Sequence, residues 1–177
     1  SNGSGATATR LQVGSSGLDG TIVLGGGSSA NSYTAGTGLI AGTLKLANTG
    51  AYSLGSGSLT IYTGTTLELD GNSISNDIRL QNGVIANSKA NSTSSIGSII
   101  SLGATVSYLR AVNSSNIVVN GYAWDSAAGY GLTFGSVSYT GTVTLNGSNP
   151  YRGNTVIAGG ILQIAGAGKL GTSGDYT

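Results

Sequence analysis

The sequence predicts an all-β protein, a single-stranded parallel (right-handed) β-helix or β-solenoid, and three observations carry that prediction. Short runs in which Val, Ile and Leu alternate with polar residues recur along the 177 residues, separated by Gly, Asn and Ser turns. Helix-forming stretches rich in Ala, Leu, Glu and Lys are missing, and proline occurs once, at Pro150. A stretch near one end of the chain is also rewritten near the other. Charged residues make up 7% of the chain and glycine reaches 32, a balance that ordinarily points to disorder. A disordered chain, however, has no reason to keep a period of two.

The strands follow from that period, because successive side chains of a strand point to opposite faces. In "TLKL", Leu44 and Leu46 face inward and Lys45 outward. "TLELD" sends Leu67 and Leu69 inward, with Glu68 and Asp70 on the solvent side. "DIRLQ" places Ile78 and Leu80 inward and Arg79 outward. In "TVTL", Val143 and Leu145 oppose Thr142 and Thr144, and in "ILQI" Leu162 opposes Ile161 and Gln163. Strands of about four or five residues, with turns of similar length, suit a sandwich or a solenoid.

The solenoid is favoured because small residues crowd turns such as "AGTL" and "AGGIL", where coils must stack closely, and because a repeat implies a unit laid on its neighbour. The tail "GAGKLGTSG" restarts the pattern of "GAYSLGSGS", as a solenoid can. With about 20–25 residues per coil, the expectation is roughly eight rungs at about 4.8 Å, a rod of about 40 Å.

The repeat has a definite register. Tyr33 matches Tyr151, and the same offset pairs Thr37 with Thr155, Gly42 with Gly160, Leu44 with Leu162, Ala47 with Ala165 and Gly50 with Gly168. Upstream, Gly20–Leu24 matches Gly141–Leu145 with three extra residues in the first copy, near Gly25–Gly27. The organisation expected is one domain over 1–177, with copies at 20–50 and 141–171 and an unrepeated centre at 71–128. Gly42 and Gly160 are expected to take a conformation barred to other residues, and Tyr33 and Tyr151 to cover a turn or fix the path between coils.

The second copy, "GTVTLNGSNPYRGNTVIAGGILQIAGAGKLG", resembles the passenger-associated transport repeat of type V autotransporters, also called the autotransporter-associated β-strand repeat. That pattern runs from a Gly-Thr strand through Leu-x-Gly-x-Asn, Tyr and Gly-x-Thr to a Gly-x-Leu strand. Gly141, Thr142, Leu145, Gly147, Asn149, Tyr151, Gly153, Thr155, Gly160 and Leu162 fill it. The first copy departs at the Leu-x-Gly-x-Asn step, where Leu24–Tyr33 is longer. The resemblance implies an exported β-helical passenger, secreted or at the outer-membrane surface, whose repeat assists secretion and folding.

Composition removes most chemistry. Histidine and cysteine are absent, which excludes Ser-His-Asp and Cys-His arrangements, His-ligated zinc and disulfides. Lack of cysteine also suits a chain that crosses a membrane unfolded. Net charge is +1 with no basic stripe, so nucleic acid is not an expected partner. No apolar run reaches transmembrane length and no signal peptide leads the chain, so Ser1 reads as the start of a processed chain or an excised fragment. Neither a calcium-loop pattern nor a phosphate loop is present, and no metal or cofactor is expected.

Two groups of candidates remain. Glu68 and Asp70, about 7 Å apart on one strand face with Asp77 and Arg79 on a neighbouring coil, would suit a carboxylate-only polysaccharide lyase or hydrolase, or simply a solvated face with a cross-coil charge pair. The aromatic segment "NGYAWDSAAGYGLTFGSVSY" holds Tyr122, Trp124, Asp125 and Tyr130, candidates for binding a glycan or a surface. Trp and Tyr would stack on a sugar ring while Asp125 accepts its hydroxyl hydrogen bonds. Alternatively the loop folds over the coil and buries Trp124, or caps an exposed edge. The expected function is a stalk, adhesin or matrix component without enzymatic activity. The rivals are a glycan-cleaving enzyme on the same fold and a filament built by end-to-end association of copies. An ice-binding solenoid ranks last, because the threonines are too irregular.

Overall fold

Each strand carries an apolar side, and the chain buries that side by winding strand onto strand around a common axis. The computed structural model describes residues 10–15, 17, 19–25, 31, 34–47, 54–126, 128–166 and 169–171. Its strands form three sheets, one on each face of a prism. The first face stacks β1 (Leu11–Val13), β3 (Thr37–Leu39), β5 (Leu59–Ile61), β8 (Ile78–Leu80), β11 (Ile100–Leu102) and β14 (Ala123–Asp125). The second stacks β2 (Thr21–Leu24), β4 (Thr43–Leu46), β6 (Thr66–Glu68), β9 (Val84–Asn87), β12 (Val106–Ala111), β15 (Gly131–Phe134) and β17 (Thr155–Ile157). The third stacks β7 (Ser73–Ile74), β10 (Thr93–Ile96), β13 (Asn116–Val119), β16 (Thr142–Leu145) and β18 (Ile161–Ile164).

Every pairing between these strands is parallel, and from β5 to β16 the chain visits the three faces in strict rotation. This is the predicted β-solenoid, and no helix occurs among the described residues. Coils run from 18 residues (Thr66 to its partner Val84) to 26 (Leu11 to Thr37). The longest face holds seven strands, about six turns, rather than the eight rungs expected. Most coils fall within the assumed length, and this count covers the described residues alone, since both chain ends lie outside them.

The core is a set of inward columns. On the second face Leu44, Leu67, Ile85, Leu109 and Phe134 stack in register and are all buried. On the first, Leu39, Ile61, Leu80 and Leu102 do the same. Each fully buried Leu or Ile contributes about 1.5–3 kcal/mol of transfer free energy. The expected alternation holds in "TLKL", "DIRLQ" and "TVTL", whose apolar residues are buried and whose polar ones are not.

Corners are stapled by short polar side chains. The Thr65 hydroxyl donates to the Tyr62 carbonyl (2.7 Å) within its own turn and lies within reach of the Leu39 carbonyl of the coil before it (3.4 Å). Ser115 does the same to Val112 (2.8 Å) and Asn87 (3.2 Å), and Asn72 to Leu69 (2.8 Å) and Leu46 (3.1 Å). Each staple satisfies a carbonyl that leaves the ladder at the turn.

The two repeat copies fold alike locally. Gly42 and Gly160 both have φ of +71°, and a Cβ on either would lie 2.3 Å from the carbonyl oxygen of Gly20 or Gly141, the equivalent residues one coil earlier. Only glycine fits both conditions. The copies nevertheless occupy different faces. In the first, β2, β3 and β4 lie on the second, first and second faces. Their counterparts β16, β17 and β18 lie on the third, second and third. The second copy is displaced by one face around the prism, five coils and a further strand along the chain.

Candidate functional site

Outward columns of the first face bring together residues that lie far apart in sequence. Thr60, Arg79, Ser101 and Trp124 are successive ladder partners, so their side chains stack along the outside of one face. Trp124 is 39% exposed, and its indole N–H donates to the Ser101 hydroxyl (2.8 Å). That bond reaches one coil back and holds the ring along the face. Tyr122, two residues earlier, is also 39% exposed and on the same side as expected, with buried Ala123 between them. Trp124 is thus neither folded into the core nor hidden beneath its loop.

Asp125 does not accompany them. It is 5% exposed and pairs in the ladder with Leu102, on an inward column, because neighbouring strand residues must point to opposite sides. Its Oδ2 accepts hydrogen bonds from the Gly129 (2.6 Å) and Tyr130 (3.0 Å) backbone N–H groups, and its Oδ1 is buried without a partner. The expected role as a sugar-hydroxyl acceptor is therefore corrected. Asp125 positions the turn that carries Tyr130, whose half-buried ring packs against the core.

Between Trp124 and Tyr130 on one side and Asp77 and Arg79 on the other lies a groove of about 380 Å³, with Ser101 and Gly103 in its lining. Asp77 and Arg79 form no ion pair with each other, and no hydrogen bond or ion pair engages the Arg79 guanidinium among the described residues. Sequence reading had placed this pair beside Glu68 and Asp70. The signal that finds their true neighbours is coil length: Arg79, Ser101 and Trp124 are spaced by 22 and 23 residues.

Glu68 and Asp70 are not a free carboxylate pair. Glu68 points outward but is 7% exposed, covered by the turn after β9. Its oxygens accept from the backbone N–H of Asp70 (3.1 Å) and Ser88 (2.7 Å) and from the Ser88 hydroxyl (2.5 Å). Asp70 sits at φ of +50° and pairs with Lys45 at 3.2 Å. Both carboxylates are committed to a corner and to neighbouring coils. Among the described residues, no group of three or more His, Cys, Asp or Glu side chains converges to hold a metal.

The repeat positions acquire definite roles. Asn149 is buried, and its side-chain amide acts as a peptide surrogate: Oδ1 accepts from the Ala123 N–H (2.8 Å) of one coil, and Nδ2 donates to the Lys169 carbonyl (2.8 Å) of another. Tyr151 does more than cover a turn, being fully buried with its hydroxyl 2.6 Å from that of Thr155. Leu44 is buried, whereas Leu162 is half-buried because β18 is the last strand described on its face. Tyr33, Gly50, Gly168 and the three-residue insertion lie on or against undescribed residues. Asn31 stands two residues before Tyr33, as Asn149 does before Tyr151, an identity the sequence comparison passed over.

Comparison with known proteins agrees with this geometry. The Passenger-associated-transport-repeat family matches residues 137–164, which cover the strands and corner just described in the second copy. The adhesin BmaC autotransporter of Brucella suis biovar 1 (strain 1330) is 31% identical over 194 aligned positions, covering 88% of this chain. The chain spans only 5% of the length of that protein. No solved structure matches. The matched repeat, that similarity along most of the chain and the parallel solenoid together mark this chain as autotransporter passenger sequence carrying a passenger-associated transport repeat, secreted and displayed outside the cell.

Proposed function

We propose that the chain is a non-catalytic, adhesive scaffold segment of its passenger. The observation that carries this reading is the outer surface of the third face. Its columns are uncharged and hydrogen-bonded from coil to coil: Ser95 to Ser73 (2.7 Å), Asn116 to Thr93 (3.3 Å), Asn146 to Asn120 (2.7 Å) and Thr144 to Gln163 (3.3 Å). Such ladders stiffen the rod along its axis while leaving polar groups at the surface. The engaged carboxylates of Glu68 and Asp70 support the non-catalytic part. The printed name of the Brucella protein supports the adhesive part.

The test compares cells exporting the parent passenger with cells exporting it without residues 20–171, display being verified by surface labelling. Attachment to matrix-coated surfaces is expected to fall several-fold at equal display. Unchanged attachment would overturn the adhesive reading. Glycan cleavage that disappears in Glu68→Gln would overturn the non-catalytic one.

A further inference from the structure

The geometry points to a binding site for a neutral glycan in the first-face groove, with Trp124 as its stacking platform and Asp77 and Arg79 as its hydroxyl-reading pair. The inference rests on the adhesive reading above and gives it a ligand class and an address.

Three features of the groove agree. A partly exposed indole offers an apolar face of the size of a pyranose ring, and the bond from its N–H to Ser101 fixes its orientation before any ligand arrives. The opposite wall supplies one acceptor and one donor fork. Asp77 receives a single long contact, from the Ile99 N–H at 3.5 Å, and the Arg79 guanidinium is unengaged, so both can turn to vicinal hydroxyls. The volume of about 380 Å³ lies in the range of small-ligand sites and accepts one or two sugar rings.

The charge of the lining selects the ligand class. Asp77 and Arg79 cancel, and the lining holds no other Asp, Glu, Lys or Arg. An acidic sugar would meet Asp77 and a cationic one Arg79, whereas a neutral polyhydroxylated chain uses both. Tyr130, held by the two backbone bonds to Asp125, closes the groove at one end. Gly103 keeps the floor open: a Cβ there would lie 3.0 Å from Gln81 Cγ and 3.4 Å from Arg79 Nε.

Trp124 is the single tryptophan of the 177 residues, so fluorescence excited selectively in the indole, beyond the absorption of the nine tyrosines, reads this groove alone. The experiment titrates the intact chain with cellotetraose, maltotetraose and chitotetraose, and with a hyaluronan tetrasaccharide as the acidic arm. At least one neutral oligosaccharide is expected to shift the emission saturably in the millimolar range. The affinity should fall tenfold or more in Arg79→Ala and Asp77→Asn and be unchanged in Tyr62→Ala, another exposed aromatic. Circular dichroism of each variant separates lost binding from lost fold. No response to any neutral sugar, a response kept in both groove variants, or preference for the hyaluronan arm would each overturn the assignment. Attachment lost on deleting residues 20–171, together with a silent titration, would reject this site and leave the adhesive scaffold standing.

Discussion

The two copies of the repeat share a local geometry and differ in address. Gly42 and Gly160 have the same φ and the same close approach to the coil before them, yet β4 lies on the second face and β18 on the third. The last strand of each copy also donates at a matching place to the residue before the first: Thr43 N–H to Gly20 (2.8 Å) corresponds to Ile161 N–H to Gly141 (3.0 Å). The motif therefore specifies a coil, meaning a strand, its corners and the strand stacked above it, and leaves the face to be set by the number of strands that precede it. Three faces built from the same inward alternation make that freedom possible.

Burial differs for a simpler reason. Leu46 is fully buried while its counterpart Ile164 is 40% exposed, because β4 has neighbours on both sides and β18 on one. Truncating the apolar side chain is therefore expected to cost less at Ile164, on the outermost described strand of its face, than at Leu46.

These contrasts can be broken by substitution, with stability read from urea unfolding. Tyr151→Ala should have the largest effect, about 3–5 kcal/mol, by emptying a fully buried aromatic site. Gly160→Ala should cost at least about 2 kcal/mol, since it meets both an unfavourable φ and a backbone oxygen at 2.3 Å. Gly42→Ala should match it closely. A large difference between the two glycines would show that the copies are not equivalent units. Asn149→Ala, which leaves the Ala123 N–H unpaired and removes one of the two hydrogen bonds to the Lys169 carbonyl, should cost about 2 kcal/mol. Tyr151→Phe, which removes the bond to Thr155, should cost about 1 kcal/mol. Arg79→Ala should stay within about 0.5 kcal/mol of the unaltered chain, because nothing in the fold depends on its guanidinium.

Much of the fold was legible in the sequence because a period of two is strict. Leu44, Leu67, Ile78, Val143 and their outward neighbours fall where alternation puts them. The corners were less legible. Glu68 lies on the outward side as expected, but the turn carrying Ser88 covers it, and no local pattern announces a neighbour 20 residues away. Asp125 failed for the opposite reason: it was grouped with Trp124 by adjacency, although adjacent strand residues cannot share a face. The groove needed the coil length. Once Arg79, Ser101 and Trp124 are aligned at 22 and 23 residues, the column is readable, but coils vary from 18 to 26 and the sequence does not print the register.

The displacement of the second copy by one face can be measured directly, because the chain has no cysteine. Val118 and Thr144 are ladder partners on the third face, within disulfide reach as parallel neighbours. Had both copies shared the second face, Thr142, the counterpart of Thr21, would stack on Thr133 of β15 instead. Mild oxidation of the double variants Val118→Cys/Thr144→Cys and Thr133→Cys/Thr142→Cys, read by mass spectrometry, should cross-link the first pair and leave the second reduced. Cross-linking of the second pair with the first left reduced would contradict the account.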